Sequence, residues 1–138
     1  MTKHLIFLIE DDDSIRRLLH QKLEKSWGHT VHMFANTEAA LAAIDESPAF
    51  AIVDMARPAI NASGMFKELR QRNLDLPVVA LLEENDPSAV SHAFKLGAVD
   101  YLSLPIDLSR AESVFRQMIR NIELHAEVVR LREEMAGA

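Results

Sequence analysis

The sequence predicts an α/β fold in which a parallel sheet is covered on both faces by helices. Two patterns carry this reading. Five short apolar runs of strand length recur along the chain, and each is followed by a stretch with apolar residues at three- and four-residue spacing. Size agrees: 138 residues, 49% of them hydrophobic, can bury one core and fall short of two.

Each element has its own local signal. "HLIFLI" (4–9) is the first strand, and "DSIRRLLHQKLEKSW" (13–27) is the first helix. That helix sets Ile15, Leu18, Leu19 and Leu23 at helical spacing behind Asp12 or Asp13 as N-cap, and Trp27 covers its end. "HTVHMF" (29–34) is the second strand, and Thr37 is expected to cap an alanine-rich helix over 38–47 that ends before Pro48. "FAIVDM" (50–55) is the third strand and "SGMFKELRQR" (63–72) the third helix. "LPVVALL" (76–82) is a β-branched run that Pro77 can open. Asp86, Pro87 and Gly97 suit the N-cap, first position and C-terminal stop of the fourth helix. "VDYLSL" (99–104) is the fifth strand, with Asp100 expected to be exposed, and residues from 107 to about 135 form a long last helix.

Composition excludes several function classes. A formal charge of −6 argues against a nucleic-acid surface, which needs clustered Lys and Arg. With no cysteine, neither disulfides nor thiolate metal sites can form. Of the six histidines only His29 and His32 are closely spaced, with no acidic residue beside them in sequence. No run has the length of a membrane span, and the apolar N-terminal stretch is cut short by acids without a small-residue cleavage site, so a cytoplasmic protein is expected.

In open parallel sheets ligands sit at the carboxyl ends of the strands. Glu10 and Asp11 end the first strand there, and Asp54 ends the third. If those strands are neighbours, three carboxylates converge, and like charges that close require a proton or a cation. An all-oxygen set suits a hard ion such as Mg²⁺. Asp12 and Asp13 serve the following helix and its dipole. On spacing alone, a solvated acidic loop with an N-cap fits the four acids equally well.

From His4 to about Ile122 the chain resembles the receiver domain of two-component response regulators. The match rests on "LIEDD", on Asp54 followed four residues later by Pro58, on "LPVVALL", and on "GAVDYLSLP". The resemblance implies a doubly wound, flavodoxin-like five-stranded sheet of order 2-1-3-4-5. It also implies Asp54 as phosphoacceptor, and Mg²⁺ held by Glu10, Asp11, Asp54 and the main-chain carbonyl of Ala56, with Tyr101 at the aromatic switch position. The implied chemistry is self-phosphorylation and autodephosphorylation at most, and not an independent enzyme. An aspartyl phosphohydrolase would want a second acid two residues after Asp54, where Ala56 stands. The implied partners are a histidine kinase or phosphotransfer protein, and an effector domain outside this chain.

Three departures stand beside the match. Leu82 occupies the position of the family's Ser or Thr, and Leu104 that of its Lys. The interval from Pro58 to Gly64 is two residues longer than is usual in the family. An ammonium about 4 Å from a phosphoryl oxygen is worth up to roughly 4 kcal/mol before desolvation. A hydroxyl hydrogen bond to that charge adds about 1.5–3 kcal/mol. Inverting a two-state equilibrium takes about 5.5 kcal/mol, so the missing contacts compare with a whole switch. Arg57 and Ser103 lie near enough in sequence to compensate, unless Arg57 is simply solvated. The sequence thus supports a phosphoacceptor domain, or alternatively a phosphorylation-independent pseudo-receiver acting as a dimerisation or interaction module.

The last helix divides. Leu108, Ala111, Phe115, Met118 and Ile122 should pack on the sheet, whereas Leu124, Val128, Leu131 and Met135 form a second stripe flanked by Glu127, Arg130 and Glu134. Residues 1–122 are therefore read as the receiver domain. Residues 123–138 are read as an extension that forms a coiled coil, a linker helix or a frayed tail. A homodimer is expected through this helix, or through the face made by the fourth helix, fifth strand and fifth helix.

Overall fold

In the structure, a computed structural model describing residues 3–137, strands and helices alternate along the chain. β1 spans Leu5–Ile9, α1 Asp13–Gln21, β2 Thr30–Phe34, α2 Thr37–Ala42 and β3 Phe50–Asp54. α3 follows at Ala62–Gln71, β4 at Val78–Glu83, α4 at Pro87–Leu96, β5 at Asp100–Leu104 and α5 at Leu108–Gly137. Every strand pairing is parallel, in the order β2-β1-β3-β4-β5. The chain thus steps outward from β1 to β2 and then returns across β1 to β3. The crevice where the winding reverses lies at the carboxyl ends of β1 and β3.

Alternate residues of each strand feed two separate cores. Ile6, Leu8, Phe50, Ile52, Val79 and Leu81 pack beneath α1 and α5, where Leu19, Leu23, Phe115 and Ile119 meet them. Phe7, Ile9, Ala51, Val53, Ala80 and Leu82 face α2, α3 and α4, and receive Ala40, Met65, Phe66 and Ala93. Burial of each large side chain among these contributes about 1.5–3 kcal/mol, which is why central strands are apolar at successive positions.

Helix starts follow local chemistry. Asp12 Oδ1 accepts from the N–H groups of Ser14 and Ile15 at 2.9 and 3.1 Å. Asp86 accepts from Ala89 N–H ahead of Pro87, and Asp107 from Ser109 N–H. α2 differs from expectation: Asn36, not Thr37, caps it by accepting from Ala39 N–H at 2.8 Å, while Thr37 is its first residue and is buried. The helix stops at Ala42, and a short 3₁₀ turn ends at Ser47 with φ +58°, immediately before Pro48.

α1 is also shorter than its periodicity predicts. After Gln21 the backbone widens into a π turn, with Trp27 N–H donating to the Lys22 carbonyl at 3.0 Å, and Gly28 at φ +78° turns the chain toward β2. Trp27 packs edge-on against Phe115 with ring centroids 5.8 Å apart, so it ties the end of the π turn to α5 rather than only covering a helix end. Pro77 precedes β4 and serves the ladder as an acceptor alone, its carbonyl taking Ala51 N–H. Among the described residues no helix is long and apolar enough to cross a membrane.

Candidate functional site

Register brings the first two acids together. Ile9 and Val53 are partners across β1 and β3, so the next residues, Glu10 and Asp54, stand level at the strand ends. Both are fully buried. Glu10 Oε2 accepts from the N–H of Asp11 at 3.0 Å and of Asp12 at 3.4 Å, and Asp54 Oδ1 accepts from Ala56 N–H at 2.8 Å.

That leaves Glu10 Oε1 and Asp54 Oδ2 buried with no partner. An ionised carboxylate oxygen only accepts, so two such atoms cannot satisfy one another without a proton or a cation between them. The consequence is visible in Glu10, whose carboxyl is pushed up to about 8. Burial is the main cause, and the hydrogen bond that a protonated Glu10 would give Asp54, together with the charge of Asp54, adds to it. The N–H groups of Asp12 and Asp11 oppose the shift by favouring the charged form. Two orphaned buried oxygens in an all-oxygen setting fit a hard divalent ion that takes few carboxylates and keeps its waters.

Asp11 is engaged differently. Its Oδ1 accepts from Arg57 Nε at 2.5 Å, and Arg57 is held above its usual range first by that hydrogen bond and then by the Asp11 charge. Of the three acids expected to converge, the structure thus brings Glu10 and Asp54 together and sets Asp11 against a guanidinium. Among the described residues no three His, Cys, Asp or Glu side chains are grouped to hold a metal ion.

The β4–β5 end of the same edge is apolar. Leu82, opposite Ser103 in the register, is 2% exposed within the core under α2, α3 and α4. Leu104, opposite Glu83, packs half-buried with Ile106 against the other core. Tyr101 is half-buried, edge-on to Phe94 at 6.1 Å, with the Arg110 guanidinium 5.9 Å over its ring. Arg110 also donates to Asp100 at 3.3 Å, so Asp100 is half-buried and paired rather than simply exposed.

Sequence reasoning missed two features here. The longer loop after Asp54 is an anchored turn in which Ile60 is buried and its N–H donates to the Arg57 carbonyl at 3.0 Å. Asn61 then caps α3, accepting from Gly64 N–H at 3.0 Å. Any Cβ at Gly64 would lie 2.4 Å from the Asn61 side chain, so a larger residue there would force the capping amide to shift. The Asn three residues before a Gly was the readable signal. The other feature is the Asp11–Arg57 pair, whose partners are 46 positions apart.

Comparison with known proteins fits this geometry. The profile of the response regulator receiver domain matches residues 6–116. The DNA-binding transcriptional regulator NtrC of Salmonella typhimurium is 30% identical over 135 residues, covering 91% of this chain and 29% of that protein. A probable transcriptional regulator, ycf27, of Porphyridium aerugineum is 32% identical over 124 residues, covering 89% of this chain and 51% of its own length. The chain therefore spans about three-tenths to one-half of these relatives. In fold it is similar to NtrX of Brucella abortus, with a TM-score of 0.84 over 98% of this chain and 30% of that one, at 24% identity. With that profile covering most of the sequence, the chain belongs to the response regulator receiver domain family.

Proposed function

We propose that Asp54 accepts a phosphoryl group from a histidine kinase or phosphotransfer protein, with Mg²⁺ bound by Glu10, Asp11, Asp54 and the Ala56 carbonyl. Receiver domains of this family accept phosphate on an aspartate and work with histidine kinases. The observation that carries the assignment to these residues is the pair of buried, unpartnered oxygens, Glu10 Oε1 and Asp54 Oδ2, at the reversal crevice. In the transfer, an Asp54 oxygen attacks phosphorus, the P–N bond of the donor imidazole breaks, and the nitrogen keeps the electron pair. Mg²⁺, when bound, screens the charge between the two anions. Ala56 N–H fixes one Asp54 oxygen, which leaves the other to react.

Incubating the protein with Mg²⁺ and a small phosphodonor tests this. One phosphoryl adduct should appear by intact mass and be absent in Asp54→Asn. No adduct on the parent chain would favour the phosphate-independent module, the reading that Leu82 and Leu104 support.

The same reading makes residues 123–138 a dimerising extension of the 1–122 domain. From Glu123 to Gly137 every residue of α5 is exposed, and Leu124, Val128, Leu131 and Met135 remain 44–78% exposed at coiled-coil spacing. A second copy of the helix supplies the matching seam. Light scattering should give a dimer for the full chain and a monomer for Leu124→Glu/Leu131→Glu; equal masses would remove the idea.

A further inference from the structure

We infer that Arg57 is the resident counter-ion of this site, holding Asp11 against a divalent cation and so setting how tightly that cation binds. The inference rests on the magnesium reading above and goes beyond it to a residue with no assigned role.

Arg57 stands three positions after Asp54, and its carbonyl is tied to the N–H of the buried Ile60, which anchors this part of the loop beside the strand ends. Among the described residues it is the one cation ion-paired to Glu10, Asp11 or Asp54. The β4–β5 side of the edge offers leucines at 82 and 104, so among the described residues the cation paired with these acids comes from the β3–α3 loop.

Guanidinium chemistry decides how this pair can open. Arginine carries five donors and no acceptor, and it does not deprotonate in proteins. Its hold on an ionised Asp11 therefore ends by displacement and not by loss of the guanidinium's proton. A cation that needs Asp11 Oδ1 meets an oxygen that already accepts from Arg57 Nε at 2.5 Å. Its apparent affinity falls by the fraction of time the pair is closed. The pair is partly exposed, with Asp11 23% and Arg57 43% accessible, so the competition is modest. The site is thereby biased toward weak magnesium binding. Displaced by the ion, the guanidinium is released three residues from the phosphoacceptor, in a site whose usual lysine position is Leu104.

Titration calorimetry with MgCl₂ on the full chain tests this without any phosphoryl transfer. Arg57→Ala should bind Mg²⁺ about two- to fivefold more tightly than the parent. Arg57→Lys should fall between them. Arg16→Ala removes the same charge from a residue paired with Asp13 and not Asp11, and should stay near the parent. Equal affinities for the parent and Arg57→Ala would overturn the inference while leaving the metal site intact. So would a gain in Arg16→Ala as large as that in Arg57→Ala, or no recovery in Arg57→Lys. Absence of Mg²⁺ binding by both the parent and Arg57→Ala would overturn the magnesium reading itself.

Discussion

The two halves of the sheet's carboxyl edge are built on opposite principles. At β1 and β3 the chain buries two carboxyl groups and leaves one oxygen of each without a donor, an arrangement that costs stability unless a ligand or proton arrives. At β4 and β5 it places Leu82 and Leu104 against the two cores, where they are satisfied by packing alone. On the phosphoacceptor reading proposed above, the first half would bind and react, while the leucines of the second offer a bound phosphoryl group no polar contact by which to pull on the rest of the domain. Chemistry and readout would then be separable, because they would depend on side chains from different strands.

The contrast breaks most completely at Asp54. Asp54→Asn should reduce phosphodonor adduct formation to nothing while the fold persists, since the amide keeps an oxygen to accept from Ala56 N–H. Next in size is the apolar half. Leu82→Ala should lower unfolding free energy in urea by about 2–5 kcal/mol, the usual cost of a buried leucine. Leu104→Ala, only half-buried, should cost clearly less.

A smaller effect, set by pH, acts on the β1–β3 half through Glu10. In the metal-free protein Glu10 titrates near 8, against 4.5 for a free glutamate, so between those values the native state holds a proton the unfolded chain has released. That contribution to stability is complete below 4.5 and is lost as pH rises through about 8. His29 works in the other direction at lower pH. Burial first, and the nearby His4 second, hold it below 6.5, so its cost appears as pH falls beneath that value. Between pH 6.5 and 8 Glu10 should dominate, and urea midpoints measured with a chelator should fall with rising pH in the parent but stay level in Glu10→Gln. The smallest effect is an expected constancy. If readout is severed from chemistry, hydrogen exchange around Tyr101 should not change when the Asp54 adduct forms, and a clear change would show that another contact, such as Arg57, transmits it.

Legibility in the sequence varies with the distance between interacting residues. The α4 boundaries are readable because Asp86, Pro87 and Gly97 act on their own turn. The cap of α2 reads one residue late, because Asn36 and Thr37 can both cap a helix; the structure buries Thr37 and leaves Asn36 free to turn back on Ala39 N–H. The end of α1 escapes a local reading because its last turn answers to Gly28, to the Glu24 side chain that accepts from Val31 N–H, and to the packing of Trp27 on Phe115.

By itself, the sequence determined the α/β class, the alternation of elements, which residues stand at the carboxyl ends of the strands, and the loss of polar groups at 82 and 104. These depend on periodicity, capping and residue identity, which act over a few positions. Only the tertiary structure decided that Glu10 and Asp54 stand level with one bare oxygen each, and that Asp11 is taken by Arg57. Strand register and ion pairing join residues more than forty positions apart, and no local pattern encodes which of several acids a distant arginine will reach.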